Sequence, residues 1–323
     1  MKSEEVVILG CGVSGLTCGI RLLEEGFDVR IEASSLPPDT TSNVAAAYWY
    51  PYKVSPQDKV LKWAAASYRK FVELSLLPES GVSMFELLKI YDRKMPEPFW
   101  KSAVNSFRRA HSDLLPEGYI DGFLAEVPRI ETPVYMQYLV NTFTSLGGTI
   151  RKLDKELDSI SSLNGNRGLI VNCSGLGAGR LLGDEEVFPI RGQIVRVTNP
   201  GLTRCINDEM GPLAVSYIVP RSSDCILGGT AEEGDWSLEV DPETADSILR
   251  KCSMLEPALK ETRVLEHRVG LRPGRTEVRL ELEQSSDGRA FIHNYGHGGA
   301  GFTLSWGCAE EVLELAEGYI LST

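Results

Sequence analysis

The residues whose types and spacing point most directly to chemistry are glycines. Gly10, Gly12 and Gly15 stand in the G-x-G-x-x-G spacing directly behind the apolar run at 6–9, and Glu32 closes a second short strand expected at 29–31. Gly10 permits a tight turn, Gly12 lets a pyrophosphate approach the backbone, and Gly15 lets the following helix pack close against its strand. Free N–H groups at the start of that helix, beginning at Val13 and Ser14, and the dipole behind them then hold the phosphates. Glu32 falls about 20 residues beyond the first glycine, where an acceptor for a ribose hydroxyl is expected. The glycines alone would also fit a turn before an ordinary helix. Strand, glycines, helix and terminal acid together predict an adenine dinucleotide site.

A second glycine cluster lies near the other end, in His293-Asn-Tyr-Gly-His-Gly-Gly-Ala-Gly-Phe-Thr303. It precedes a helical pattern with Trp306, Ala309, Leu313 and Ala316 on one face. Glycines just before a helix N-terminus make a nest of backbone N–H groups, and so a second anion site. A turn that merely reverses the chain would use the same residues. One ligand charged at both ends explains both clusters, and FAD is such a ligand. Its pyrophosphate would sit on the first helix and its pyrimidine edge, which becomes negative on reduction, on the last. An NAD-dependent dehydrogenase would account for residues 6–32 but leave the second nest without a role.

These clusters need elements to position them. The first unit reads as strand, helix and strand, with Val13, Leu16, Ile20 and Leu23 on one helix face and Gly26 as its stop. Residues 33–43 form a Pro- and hydroxyl-rich loop. The stretch 44–51, VAAAYWYP, fits either a buried helix start or a close approach to a flat ligand at Ala46 and Ala47, walled by aromatics. Amphipathic helices are expected at 57–77 and after Pro133, the second ending at Gly147 and Gly148. Strands are expected at 149–153, 169–173, 191–197, 217–220 and 225–228. Residues 174–179, SGLGAG, offer another backbone approach to a ligand. The acidic segment 206–216 reads as a mobile loop, 241–244 as a helix start with Asp241 as N-cap and Pro242 behind it, and 80–126 stays unplaced.

Composition bounds the rest. At 323 residues, with 42% hydrophobic and 24% charged residues, the chain reads as an ordinary globular protein large enough for two domains. A net charge of -12 argues against a nucleic-acid surface or an anionic-membrane anchor. The seven cysteines are scattered and never C-x-x-C, which predicts reduced thiols in a cytoplasmic setting, with no disulfide framework and no metal site. No apolar run reaches membrane length. The start MKSEE leaves no room for a signal segment, and the last residues lack a peroxisomal S-K-L address.

The runs Gly10-Cys-Gly-Val-Ser-Gly15, Thr40-Thr-Ser-Asn-Val-Ala-Ala46, Tyr217-Ile-Val-Pro220, Gly228-Gly229 with Gly234-Asp-Trp236, Gly270-Leu-Arg-Pro273 and His293 to Gly299 follow one another in an order that resembles the D-amino-acid oxidase family. The resemblance spans nearly the whole chain, and its last two runs are the specific ones. It implies a mixed α/β (α+β) fold in which a Rossmann-like FAD-binding domain is interleaved with a substrate domain built on a mixed antiparallel β-sheet. The expected division is 1–50, 147–190 and 265–323 for FAD, and 51–146 and 191–264 for substrate. The implied reaction is oxidation of a D-amino acid by O2, with hydride passing from Cα to flavin N5, to give a 2-oxo acid, ammonia and H2O2.

Residue by residue, Arg272 matches the family's carboxylate-binding arginine and Tyr217 the tyrosine that adds a second donor. Gly299 matches the glycine whose carbonyl accepts from the substrate amine. The implied cofactor contacts are Gly10, Gly12, Val13, Ser14, Gly15, Glu32, Ser34, Thr40, Thr41, Ser42, Ala46, Ala47, Leu153, Ser174, Gly298, Gly299, Ala300, Gly301, Phe302 and Thr303, with Thr303 on the flavin pyrimidine. There are departures. Leu213 stands four residues before Tyr217 where mammalian members have a second tyrosine, the lid-like segment 206–216 is shorter, and Tyr50 replaces a glutamine in the side-chain pocket. No catalytic acid or base is expected, and His297 reads as structural. Neutral or apolar D-amino acids are favoured, because a D-aspartate oxidase would need an extra cation and the 206–216 segment offers Asp208 and Glu209. A flavoprotein kept as a non-catalytic binding module is the remaining alternative, and a homodimer is compatible with the sequence.

Overall fold

In the computed structural model, which describes residues 5–159, 168–285 and 289–322, the chain divides its strands between two sheets. It begins with β1 (Glu5–Leu9), α1 (Val13–Glu24) and β2 (Asp28–Ala33), the expected βαβ unit, with β1 and β2 parallel. A single turn, α2 (Thr41–Val44), and a long helix, α3 (Gln57–Leu74), follow. The stretch the sequence left unplaced forms β3 (Val82–Tyr91), β4 (Phe107–Arg109) and β5 (Asp121–Ile130). Next come α4 (Thr132–Ser145), β6 (Thr149–Lys152), β7 (Leu169–Asn172) and α5 (Gly177–Leu182). The run β8 (Phe188–Thr198), β9 (Arg204–Asp208), β10 (Ser216–Pro220), β11 (Asp224–Gly228) and β12 (Glu232–Glu233) leads to α6 (Pro242–Leu255) and β13 (Val264–Gly274). The described chain ends with β14 (Arg279–Gln284), β15 (Ala290–Tyr295) and α7 (Gly301–Ser322).

The six-stranded sheet runs β14-β15-β7-β1-β2-β6 and is parallel except at β14. Its central strands are apolar runs because helices cover both faces, so every residue of β7 is buried. On one side α1 packs against α4 and α7, and α3 packs on α7. Ser67 Oγ accepts from Gly307 N at 2.9 Å, and Tyr135 Oη accepts from Trp306 Nε1 at 2.8 Å, so these buried polar groups are satisfied inside the apolar cluster.

The nine-stranded sheet runs β12-β8-β11-β10-β9-β3-β5-β4, with β13 on β8, and is antiparallel except for the β3–β9 pair. At its back α6 starts as expected, the Asp241 carboxylate accepting from Glu243 N at 3.3 Å and Thr244 N at 3.1 Å. Such a cap is worth about 1 kcal/mol.

Residues 265–274, grouped in the expected division with 275–323, pair through β13 with β8 in the nine-stranded sheet. Two expectations are corrected. Residues 206–208 are strand, not loop. Asp208 is buried there and closes the turn behind it, accepting from Tyr119 Oη and Gly211 N, each at 2.6 Å, and from Leu213 N at 3.0 Å. The 44–51 stretch is extended after α2, with Ala47 bonded to Ile130 and Trp49 N donating to Pro128 O at 2.8 Å, so it edges β5 instead of starting a helix. Among the described residues no helix is long and apolar enough to cross a membrane.

Candidate active site

Both glycine clusters open onto one cavity of about 1070 Å³. At the first, Gly10 has φ +111, and a side chain there would come within 2.9 Å of the Cys173 carbonyl carbon. Only glycine fits where β1 and β7 converge on the turn. Gly15 does not reach the cavity, since its Cα packs on the Gly10 carbonyl, the close approach its place in the motif requires. The second cluster runs through a short turn at Gly298–Ala300 into α7. A methyl on Gly301 would stand 3.9 Å from Val13 Cγ1, so the N-termini of α1 and α7 meet on one wall.

Gly10, Gly12, Val13, Ser14, Glu32, Ser34, Thr40, Thr41, Ser42, Ala46, Ala47, Leu153, Ser174, Gly298, Gly299, Gly301, Phe302 and Thr303 all line that cavity. Ala300 does not and is fully buried. Glu32 is buried at the end of β2, with Arg30 Nε at 3.1 Å and Arg151 at 3.6 Å. Several hydroxyls already hold backbone. Ser42 Oγ accepts from Val13 N at 3.0 Å, while Thr303 Oγ1 accepts from Tyr50 N and donates to Tyr50 O, both at 3.0 Å. Thr303 therefore has one lone pair left to offer, and no proton. Two anion-receiving helix termini, a carboxylate at the ribose position and an elongated wall of small residues fit an adenine dinucleotide carrying a flavin.

The other wall comes from the nine-stranded sheet. Tyr217 on β10 lies across Gly228 on β11, its register partner, at a distance no side chain would allow. Arg272 on β13 lies across Gly192 on β8, its diagonal neighbour. Two bare positions thus let a phenol and a guanidinium rest flat on the sheet and face the cavity. Burial raises the Tyr217 phenol pKa, and the adjacent Arg272 charge draws it back. Arg272 Nη1 donates to Thr230 O at 3.1 Å. The other cations lining the cavity among the described residues are paired, Arg180 with Glu156 at 2.9 Å and Arg268 with Glu266 at 2.7 Å. No carboxylate of the described residues lies within ion-pair distance of Arg272.

Tyr50 lines the cavity beside Tyr48, Asn207 and Val215. Its hydroxyl donates to Glu209 at 2.8 Å, and Asn207 Nδ2 donates to Tyr48 Oη at 2.6 Å. Behind them the fully buried Lys89 donates to Glu209 at 2.5 Å and to Asn207 Oδ1, its ammonium 4.8 Å from the Tyr50 ring centroid. Burial lowers the Lys89 pKa, and Glu209 opposes that shift. A cation the sequence did not place here is therefore present, but it is spent on Glu209 and does not line the cavity. Leu213 is away from the cavity, packed beside the apolar cluster behind the sheet. His297 lines the wall but bonds Asn294 Oδ1 at 2.9 Å, and burial drops its pKa to about 4, so it is neutral and not a proton acceptor of ordinary strength.

Sequence reasoning missed Gly192, Asn207 and Tyr52, all on the cavity wall, and gave Tyr48 only as one of the aromatics in 44–51. The signal was available for the tyrosines. Tyr48, Tyr50 and Tyr52 alternate with Trp49 and Pro51, a period of two that puts the tyrosines on one side of an extended segment and buries Trp49, whose Nε1 donates to Ala64 O at 2.9 Å, on the other.

Residues 5–315 match the family described as FAD dependent oxidoreductase. The chain is 51% identical to the D-amino-acid oxidase of Rubrobacter xylanophilus over 96% of this chain and 95% of that protein. It is 41% identical to the D-amino-acid oxidase of Dictyostelium discoideum over 97% and 91%. The glycine oxidase structure from Bacillus cereus superposes with a TM-score of 0.79 at 20% identity, over 98% of this chain and 96% of that one, which is a likeness of fold. With matches of this extent joined to a cavity built for a flavin dinucleotide, the chain belongs to the D-amino-acid oxidase family of FAD-dependent oxidoreductases.

Proposed function

We propose that the protein oxidises neutral or apolar D-amino acids with O2, giving 2-oxo acid, ammonia and H2O2. The observation that carries this reading is Arg272, a guanidinium without a carboxylate partner among the described residues, facing the cavity with the Tyr217 phenol beside it. A guanidinium fits a carboxylate as a two-pronged donor and stays charged at every working pH. Tyr217 adds a second donor, and the Gly299 carbonyl accepts from the substrate amine. Those three contacts fix the Cα substituents, so one hydrogen points in a set direction and the opposite enantiomer presents another group there. Bound FAD supplies the two-electron acceptor.

The chain would hold that cofactor at Gly10, Gly12 and Ser14 for the pyrophosphate and at Glu32 for a ribose hydroxyl, with Val13 lining the site while its N–H is held by Ser42 Oγ. Leu153 and Ser174 would line its adenine, the residues from Ser34 through Ala47 its length, and Gly298 to Thr303 its pyrimidine edge. No side chain is assigned as acid or base. His297 is neutral and committed to Asn294, and the substrate amine needs only to arrive unprotonated. The neutral-substrate reading is supported by the side-chain end of the cavity, where the nearby cation is already paired with Glu209.

Purified protein should show a flavin spectrum that bleaches, with peroxide release, on adding D- but not L-amino acids. Arg272→Ala should lower kcat/KM by about a thousandfold, or roughly 4 kcal/mol, while FAD stays bound. Unchanged kinetics in that variant removes the carboxylate clamp.

A further inference from the structure

Among the described residues, the Tyr52 hydroxyl is the buried side-chain polar atom with no hydrogen-bond partner. A buried donor left without a partner bears its full desolvation cost, so its persistence asks for a partner that arrives with a ligand. The phenol stands on the cavity wall. A methyl on Gly299 would meet the Tyr52 ring at 2.8 Å and Arg272 Cδ at 3.7 Å, so ring, guanidinium and the Gly299 backbone share one corner. Tyr217 and Tyr52 each feel the Arg272 charge, so both phenols stand near it. The chain leaves this position through Lys53, which takes the left-handed φ of +42 uncommon for a residue with a side chain.

We infer that Tyr52 donates its hydroxyl to the substrate carboxylate and is the second phenol of the clamp, standing in for the tyrosine that position 213 lacks. The inference rests on the Arg272 reading above. A carboxylate offers about four lone-pair sites, and Arg272 already gives Nη1 to Thr230, so donors beyond the guanidinium and Tyr217 can be used. Leu213 cannot be one of them, because it lies off the cavity. The extended segment that carries Tyr52, not the segment after β9, therefore supplies the second phenol.

The test is Tyr52→Phe in the FAD-loaded enzyme, which keeps the ring and deletes the donor. Three readouts are taken: steady-state constants with D-alanine, the dissociation constant of 2-aminoisobutyrate by calorimetry, and the thermal midpoint without ligand. The calorimetric probe carries both polar groups and no Cα–H to lose. The expected result is a rise of about tenfold in KM and in the 2-aminoisobutyrate dissociation constant, with a smaller fall in kcat. The thermal midpoint should be unchanged or higher, since the deleted hydroxyl has nothing to lose in the free enzyme. A lower midpoint with unchanged binding overturns the inference by making Tyr52 structural, and so does no change in any readout. Arg272→Ala measured in parallel separates the two levels. Lost binding there with parent-like Tyr52→Phe sinks the Tyr52 role alone, whereas parent-like binding in Arg272→Ala overturns the clamp and Tyr52's part in it together.

Discussion

Gly192 is the position at which the smallest change should have the largest effect on function. It sits on β8 opposite Gly270 and diagonal to Arg272, and the Arg272 side chain crosses directly over it. A methyl built on Gly192 would stand 2.5 Å from Arg272 Cζ. Carbon atoms prefer about 3.5–4.0 Å, so the guanidinium must retreat by roughly 1 Å. It also loses its place against Thr230 O, now 3.1 Å from Nη1. A misplacement of that size in a positioning group costs about a hundredfold, or roughly 2.7 kcal/mol of transition-state binding. Stability should hardly move, because the clash falls on the far end of a flexible side chain and Gly192 has no left-handed backbone to protect. The assay is kcat/KM for a D-amino acid by peroxide release in Gly192→Ala, with flavin content from its absorbance and a thermal midpoint on the same sample. Parent-like kinetics would refute the reasoning, since Arg272 would then not depend on the bare position beneath it. So would a fall in flavin content that accounts for the whole loss.

Two further expectations concern buried charge. His297, with its pKa lowered by burial from 6.5 to about 4, binds a proton more readily unfolded than folded between those values, so stability rises with pH there. Its share should fall by about 2 kcal/mol from pH 7 to pH 5; denaturant titrations of parent and His297→Asn should show the pH slope shrinking in the variant, and equal slopes would refute the assignment. The depressed carboxylates, Asp184 and Asp224 among them, contribute above their unfolded values near 4 and lose that contribution only at lower pH, outside this window. Lys89→Met should destabilise the fold by about 3 kcal/mol, because Glu209 is left beneath Tyr50 without its counter-charge. Adding Glu209→Gln should restore part of that loss, and strict additivity in the double-mutant cycle would deny the pairing.

Much of the cofactor half was legible because its signals are local. The turn at Gly10, the period of α1 and the apolar run of β7 each lie within a few residues of their cause. The substrate half hides its causes in pairings distant along the chain. β3 finds one neighbour in β5 and the other, parallel, in β9, and no local pattern announces either. Asp208 and Glu209 read as part of an acidic mobile loop, yet one closes a buried turn and the other meets Lys89, 120 positions away. The 44–51 stretch fitted a helix start as well as a close approach to a ligand, and the hydrogen bonds to β5 ruled out the helix. Arg272 could be named from its motif, but the glycine that seats it lies on another strand.

The extended segment that carries Tyr48, Tyr50 and Tyr52 is fastened on two sides, to β5 through Ala47 and Trp49 and to α7 through Thr303. With flavin and amino acid bound as proposed, both would be gauged from a common rail, and a shift of either sheet would carry that rail along. Its outward rungs can be exchanged to admit a longer or bulkier substrate while the alternate rungs, Ala47, Trp49 and Pro51, keep their grip. Selectivity can be redrawn here without rebuilding the frame that aims the reacting hydrogen.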